Sequence, residues 1–422
     1  MRANWHDFVT SLRIGFFMAV RQIKRGSWWT TTLIIFVMSL TFLNLVVVTG
    51  ILVGLIDSAS EVNRTFYAGD LMISTLNKKT YIENSPDILE IINNQPGVAV
   101  ASSRYVEGGV LEANYQTLRK TDETSNTVSS IIVGINPEKE NMTTHLASKI
   151  VEGEFLSQDD GDVVVLGAYK LNQYLPIESP GLQTLKNVGI GSKIRMTINE
   201  STREYIVKGI LRTKADEIDM RVFINASLMR NLIGRYDYAV DEIAVKLKPG
   251  VDPITVKQVL LAYGIDRYAK VQTWEEAEPK FVKDMKATFA LLGNMIGSIG
   301  LAVATITIFI VIFVNAITRR KYIGILKGIG IDSTAIQFSY VLQSLFYAII
   351  GILLGLAILY GGLKPYVDAH PINFPFSDGV ITAPLLGTLL RGLVLLIATL
   401  IAGFIPAKLV VRQNTLDAIL GR

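Results

Sequence analysis

The chain has 422 residues, 50% hydrophobic and only 18% charged, a charged fraction below the quarter typical of soluble domains that points to a membrane class. There is no cysteine, and the three histidines (His6, His145, His370) form no HExxH pair, which argues against disulfides, thiolate metal sites and a zinc enzyme. A net charge of +4 is too small to indicate nucleic acid, so its distribution matters more than its sum.

In chain order, Trp5, Phe8, Leu12, Phe16, Val20 and Ile23 recur at spacings of three or four and form one helical stripe, with Arg13, Arg21 and Lys24 largely off it. A basic amphipathic helix over 1–29, next to a span, reads as lying in the inner membrane interface, with packing on a partner as the other reading. Four apolar stretches, 30–56, 289–318, 336–360 and 384–406, reach the about 20 residues that a bilayer span requires. The first is too long for a signal-peptide core and has no small-x-small cleavage site after it. The flanks 1–29, 319–335 and 407–422 hold twelve basic residues against Asp7, Asp332 and Asp417, whereas the loop 361–383 has Lys364 against Asp368 and Asp378. By the positive-inside rule both termini are cytoplasmic, and 57–288 is extracytoplasmic.

Segment 57–288 carries 27 basic and 32 acidic residues, the mixture of a water-exposed domain, and is long enough to bury a core in one or two lobes. Ser85-Pro86-Asp87 starts a helix with a capping hydroxyl, a first-turn proline and an acid near the positive end of the dipole; Asn93 to Gly97 stops it. A second helix starts near Pro253, with Val256, Val259, Leu260 and Tyr263 on one side. Strand-like segments flank both helices: Met72–Ser74 and Val98–Leu111 around the first, Glu242–Lys248 and Tyr268–Thr273 around the second. The two units, one at each end of the domain, predict a ferredoxin-like α+β lobe around a mostly β insertion at about 115–235. Val163–Leu166, Lys193–Ile198, Tyr205–Leu211 and Arg221–Asn225 are its strands. Asp159-Asp160-Gly161-Asp162 lacks the twelfth-position glutamate of a calcium loop and reads as a solvated turn; Asp216-Glu217-x-Asp219 reads as a polar loop. The predicted fold class is therefore a membrane α-helical protein, four transmembrane helices with a large α+β extracytoplasmic domain between helices 1 and 2.

Within the spans, Asn44 and Asn315 fit hydrogen bonding between helices. Gly351-x-x-x-Gly355 and Gly293-x-x-x-Gly297 are close-approach motifs for helix packing. Arg391 lies about 10 Å along the fourth span from its outer end. Such a charge either snorkels to the headgroups or contacts an anionic lipid or substrate. No GxxxxGK[ST] motif occurs, so the chain is not expected to hydrolyse ATP itself.

The stretch from Arg319 to Leu356, RRKYIGILKGIGIDSTAIQFSYVLQSLFYAIIGILLGL, resembles the signature of the FtsX/MacB-type permeases of ABC transporters. Ile405-Pro406-Ala407-Lys408 through Asp417-Ala418-Ile419-Leu420 resembles the family's closing motif. Segments 132–138, 151–155, 164–167 and 188–211 resemble its extracytoplasmic domain. The resemblance implies a permease that works as a dimer, with itself or a sister permease, beside two copies of a separate cytoplasmic ATPase that holds ATP and Mg. It also allows an extracytoplasmic adaptor, and membrane lipids surround the spans. The family's coupling helix maps to Arg319, Arg320, Lys321, Gly324, Ile325, Lys327, Gly328 and Gly330. Tyr322 stands where the family usually has glutamate, which removes a salt bridge to the ATPase from that position. The implied function is transmission of ATP-driven motion to the outer domain for export or extraction of a lipid, lipoprotein, peptide or hydrophobic compound. The alternatives are gating of an extracytoplasmic partner such as a cell-wall hydrolase, or a sensor or scaffold without transport.

Overall fold

The computed structural model describes residues 2–115, 125–175, 183–374, 378–379 and 381–411. Two compact units emerge: a helical unit of Met1–Ile56, Met285–Ile372 and Gly379–Arg422, and a sheet domain of Asp57–Asp284 with Asn373–Asp378. Most of the predicted tail 407–422, including the second half of its closing motif, falls in 412–422, outside the described residues.

Among the described residues, four helices are long and apolar enough to cross a membrane. They overrun the apolar stretches that announce them. The first runs over Trp28–Asn63 and continues as a π-helical turn, Arg64–Ala68. The second is Lys280–Thr318. The third is Ser333–Ile358, extended by the π turn Leu359–Leu363 and a short helix, Lys364–Ala369. The fourth is Leu385–Val411, with Pro406 inside it.

Small residues set their packing, because helices in an apolar solvent gain from close van der Waals approach rather than from leaving water. A Cβ on Gly351 would lie 2.5 Å from Met38 Cβ, and one on Gly355 2.5 Å from a Phe42 ring carbon, so the first and third spans meet there. Gly293 and Gly297 face Thr49 and Leu45, which brings the second span onto the first. Gly403 faces Ser344, joining the fourth span to the third. Asn44, predicted to bond between helices, lies against Gly300, and neither Asn44 nor Asn315 shows a side-chain hydrogen bond among the described residues.

The N-terminal helix, Arg2–Arg25, runs alongside the first three turns of the third span and in the same direction. Ser11 donates to Asp332 at 3.2 Å, Gly15 abuts Ala335 and Phe338, and Gln22 accepts from Gln343. Its buried face is Ser11, Gly15 and Ala19, the small residues, while Val9, Ile14, Phe16 and Phe17 are exposed. Of the apolar stripe seen in the sequence, Phe16 is exposed and Leu12, Val20 and Ile23 are half-buried.

Among the described residues, the main sheet of this domain has ten strands: β1 (Leu71–Thr75), β2 (Val98–Ala113), β3 (Thr127–Ile135), β4 (Ile150–Gly153), β5 (Val163–Gly167), β6 (Lys193–Ile198), β7 (Ser201–Leu211), β8 (Arg221–Asn225), β9 (Glu242–Leu247) and β10 (Ala269–Thr273). The strands from the two ends of the domain pair in the order β10-β1-β9-β2, with β1 antiparallel to both neighbours. Helices Ser85–Asn93 and Pro253–Ala262 bury Ile88, Ile92, Val256 and Leu260 in one core with Ile73 and Val245. Each such side chain contributes about 1.5–3 kcal/mol. The insertion is not a second lobe on a separate sheet. Strand β2 is sixteen residues long, and its far half pairs with β3 on one edge and β6 on the other. The remaining pairs, β3–β8, β8–β5, β5–β7 and β7–β6, close a six-stranded ring back onto it.

Local starts differ in detail from the sequence reading. Ser85 is not the cap of its helix. Asn84 holds that position at φ +55°, and the buried Ser85 hydroxyl donates to Ile82 O and accepts from Val240 N. Asp252 caps the second helix, accepting from Thr255 N at 3.1 Å. Only Val256 and Leu260 of the predicted stripe face inward; Val259 and Tyr263 are exposed. Asp160 is pinned rather than loosely solvated, accepting from Ser157 N and Lys208 Nζ, both at 2.7 Å. Asp216–Asp219 is a short helix whose Asp219 is fully buried, not a polar loop.

Candidate coupling site

Lys280–Thr318 ends at Arg319, whose backbone leaves the helical conformation (φ −102°, ψ 10°), and a nine-residue helix, Arg320–Gly328, follows. Gly330 then adopts φ +93°, a left-handed conformation that side-chain-bearing residues rarely take, and Asp332 opens the third span. The turn is held from within: Ile331 N donates to Leu326 O at 3.0 Å, and Asp332 accepts from Ser11 and Thr334.

Ile323 and Gly324 are buried. Tyr322, Ile325 and Ile329, at helical spacing, are 70%, 44% and 71% exposed and form an apolar ridge, with Lys321 and Gly328 exposed near it. Lys327 points elsewhere. Its Nζ donates to Val411 O at 3.0 Å, an ammonium on a terminal carbonyl of the fourth span, where a helix end favours positive charge. Of the predicted coupling residues, then, Lys321, Ile325 and Gly328 are exposed and Gly324 is buried; Arg319, Arg320 and Lys327 are half-buried. Gly330 supplies the turn.

Arg391 is half-buried, about 9 Å into the fourth span helix, and no hydrogen bond or ion pair joins it to another described residue. One turn before it, Thr388 receives the Tyr360 hydroxyl at 3.2 Å.

The sheet domain holds a polar cluster that the sequence reading missed. Tyr67 lies in the π turn after the first span, and its ring meets the guanidinium groups of both Arg104 and Arg221, at 5.0 and 4.7 Å. Its hydroxyl donates to Glu242 at 2.9 Å and accepts from Arg221 at 2.9 Å. Arg104 makes a two-pronged contact with Glu140, Nε to Oε2 at 3.1 Å and Nη2 to Oε1 at 2.7 Å, with the two side chains 3% and 0% exposed. Ser102 and Thr144 hydroxyls complete the Glu140 carboxylate at 2.7 and 2.9 Å. Burial would raise the Glu242 carboxyl, but the Arg221 and Arg104 charges hold it below its usual range. Burial and the Glu242 charge push the Tyr67 phenol up to about 12, so it stays a donor. Nearby, Arg64 donates to Asp70 at 2.7 Å and stacks on Trp274, while Ser60 donates to the buried Glu278. The two points where the chain enters and leaves this domain are therefore tied together by buried polar contacts. The sequence signal for the cluster is Arg104, set directly after the run of small or apolar residues Val98–Ser103.

Comparison with known proteins places this architecture. Residues 30–263 match the MacB-like periplasmic core domain, and residues 294–415 match the FtsX-like permease C-terminal family. A macrolide export ATP-binding/permease protein MacB of Haemophilus ducreyi is 26% identical over 207 residues, which is 48% of this chain and 28% of that protein. An ABC transporter permease of Methanocaldococcus jannaschii is 24% identical over 286 residues, 64% of this chain and 65% of that one. The chain spans less than two-thirds of the length of either relative. The crystal structure of the periplasmic region of MacB from Actinobacillus actinomycetemcomitans aligns with 50% of this chain and 92% of its own, at 16% identity and a TM-score of 0.36. With the core-domain match alone running through more than half of the sequence, the chain belongs to the FtsX/MacB-type permeases of ABC transporters.

Proposed function

We propose that this permease transmits ATP-driven motion from a separate cytoplasmic ATPase, bound in two copies, to its sheet domain on the other side of the cell membrane. Both termini and the loop 319–335 are then cytoplasmic, in keeping with the twelve basic residues of those flanks. ATP and Mg reside in the ATPase, because this chain has no P-loop sequence to cradle a nucleotide phosphate. A second permease copy or a sister permease completes the pair, and an extracytoplasmic adaptor is a further partner. The substrate class is a lipid, lipoprotein, peptide or hydrophobic compound taken from the outer leaflet or compartment. Arg391 serves there as an anionic lipid or substrate contact, a cation without a described partner inside a span.

One observation carries the reading: the exposed ridge of Tyr322, Ile325 and Ile329 on a short basic helix that is braced against the third and fourth spans. Such a ridge fits an apolar cleft on a partner, and its bracing lets force on the ridge reach two spans. Gly324 and Gly330 act by allowing the buried approach and the left-handed turn.

The test is co-purification with the neighbouring ATPase. Tyr322→Glu with Ile325→Glu leaves the packed face of the helix untouched and is expected to abolish both complex formation and permease-stimulated ATP hydrolysis. Retention of both in that variant refutes the assignment. Stimulated hydrolysis with no substrate movement, but with activation of an outer partner enzyme, would replace export by gating.

A further inference from the structure

A cavity of about 700 Å³ opens between the N-terminal helix, the coupling helix and the start of the third span. That volume lies in the range of small-ligand and cofactor sites. Its floor and walls are apolar: Phe17 and Met18 from the N-terminal helix, Ile323 and Leu326 from the coupling helix, and the buried Tyr340 from the span. Three guanidinium groups stand in its lining, Arg21 and Arg25 on the first helix and Arg319 at the turn into the second. Among the described residues no carboxylate lines it, and no side-chain hydrogen bond or ion pair joins any of the three arginines to another residue. The nearby Asp332 is already taken up by Ser11 and Thr334.

Three cations together without an anion repel one another, and planar guanidinium groups match phosphate oxygens two at a time. An apolar chamber beneath them needs an apolar occupant. Phe16, beside the cavity wall residue Phe17, is also exposed, as suits a helix lying against lipid. We propose that this cavity binds one anionic glycerophospholipid, its phosphate on Arg21, Arg25 and Arg319 and an acyl chain between Met18 and Leu326. The lipid fills the gap between the N-terminal helix and the coupling helix, so it acts as a wedge that sets the position of Arg319 at the turn. The site needs neither the ATPase nor the outer domain, and it is separate from Arg391 on the fourth span.

The test is native mass spectrometry of the purified full chain in detergent, titrated with dioleoylphosphatidylglycerol or with dioleoylphosphatidylcholine. One phosphatidylglycerol is expected to bind about tenfold more tightly than phosphatidylcholine, with inorganic phosphate failing to displace it. Arg21→Gln with Arg25→Gln, both exposed and so without cost to folding, should erase that preference. Arg21→Lys with Arg25→Lys should keep most of it, and Met18→Trp should lower binding of both lipids by filling the chamber. Equal binding of the two lipids, or an unchanged preference in the double glutamine variant, overturns the proposal. Displacement by free phosphate would also overturn it, since the occupant would then be an inorganic anion.

Discussion

Replacing Glu140 by glutamine tests the buried cluster directly. Glu140 is fully buried and accepts from Arg104 twice, from Ser102 and from Thr144. The amide keeps the volume but offers one acceptor oxygen and turns two donors against the donors around it. Arg104, itself 3% exposed, then loses one of its two acceptors at position 140 and keeps the Glu242 contact at 3.4 Å, the Tyr67 carbonyl at 2.7 Å and the Tyr67 ring at 5.0 Å. Removing one member of a buried pair costs about 3–5 kcal/mol, and the surviving Glu242 contact places this variant near 3. The assay is urea unfolding of the full chain in detergent. Trp274 is the one tryptophan of the four that belongs to the sheet domain, so Trp5→Phe, Trp28→Phe and Trp29→Phe make its fluorescence the reporter. A joint Arg104→Met and Glu140→Leu change removes both charges and should recover most of the loss. A loss below about 1 kcal/mol in Glu140→Gln would mean that the pair is hydrated in solution and that the cluster does not anchor Tyr67.

Two further outcomes follow from other parts of the chain. Burial pushes the Asp219 carboxyl up to about 6, despite hydrogen bonds from Thr213 and Lys214. Its folded value thus exceeds the unfolded one. Its contribution to stability is full below about pH 4 and is lost as pH rises through about 6, a span worth about 3 kcal/mol. Asp219→Asn should remove that decline from a urea-midpoint profile between pH 4 and 7, and a profile parallel to the native one would count against it. Gly351→Leu should lower the temperature at which the chain leaves its monodisperse gel-filtration peak, by overpacking worth about 1–3 kcal/mol against Met38. Gly361→Leu, with nothing near its Cβ position, is the matched control and should behave like the native chain.

The spans were legible because about 20 apolar residues in a row have few other uses, and the helices Ser85–Asn93 and Pro253–Ala262 because proline and aspartate mark their starts. The apolar stripe of the N-terminal helix points to the membrane interface, but which small residues meet the third span was not legible, because hydrophobic periodicity marks an apolar face and not its neighbour. Next to lipid the large residues turn outward, and Ser11, Gly15 and Ala19 make the contact. The closed ring of strands was beyond reach: pattern shows which way a strand faces, not which strand it pairs with. The Tyr67 cluster was hidden for a related reason. Glu242 opens an alternating strand and looks like one more solvent-facing acid until Tyr67, 175 positions earlier, is placed beside it. In the segment after the second span the family resemblance located the helix, but the inward turn of Gly324 and the outward turn of Tyr322 depended on how the spans pack around it.

Strand β1 is enclosed by β9 and β10, with Leu71 opposite both Val245 and Thr273. Neither neighbour exists when β1 leaves the ribosome. At about 5–20 residues per second, the strand waits on the order of 10–40 s for its partners, an exposed apolar edge beside a newly inserted helix. The ring of β2, β3 and β5–β8 is completed by residue 225, before either partner of β1 is made. During synthesis, then, the inserted part of this domain can be finished while its framework is still open, and the last stretch before the second span closes the fold.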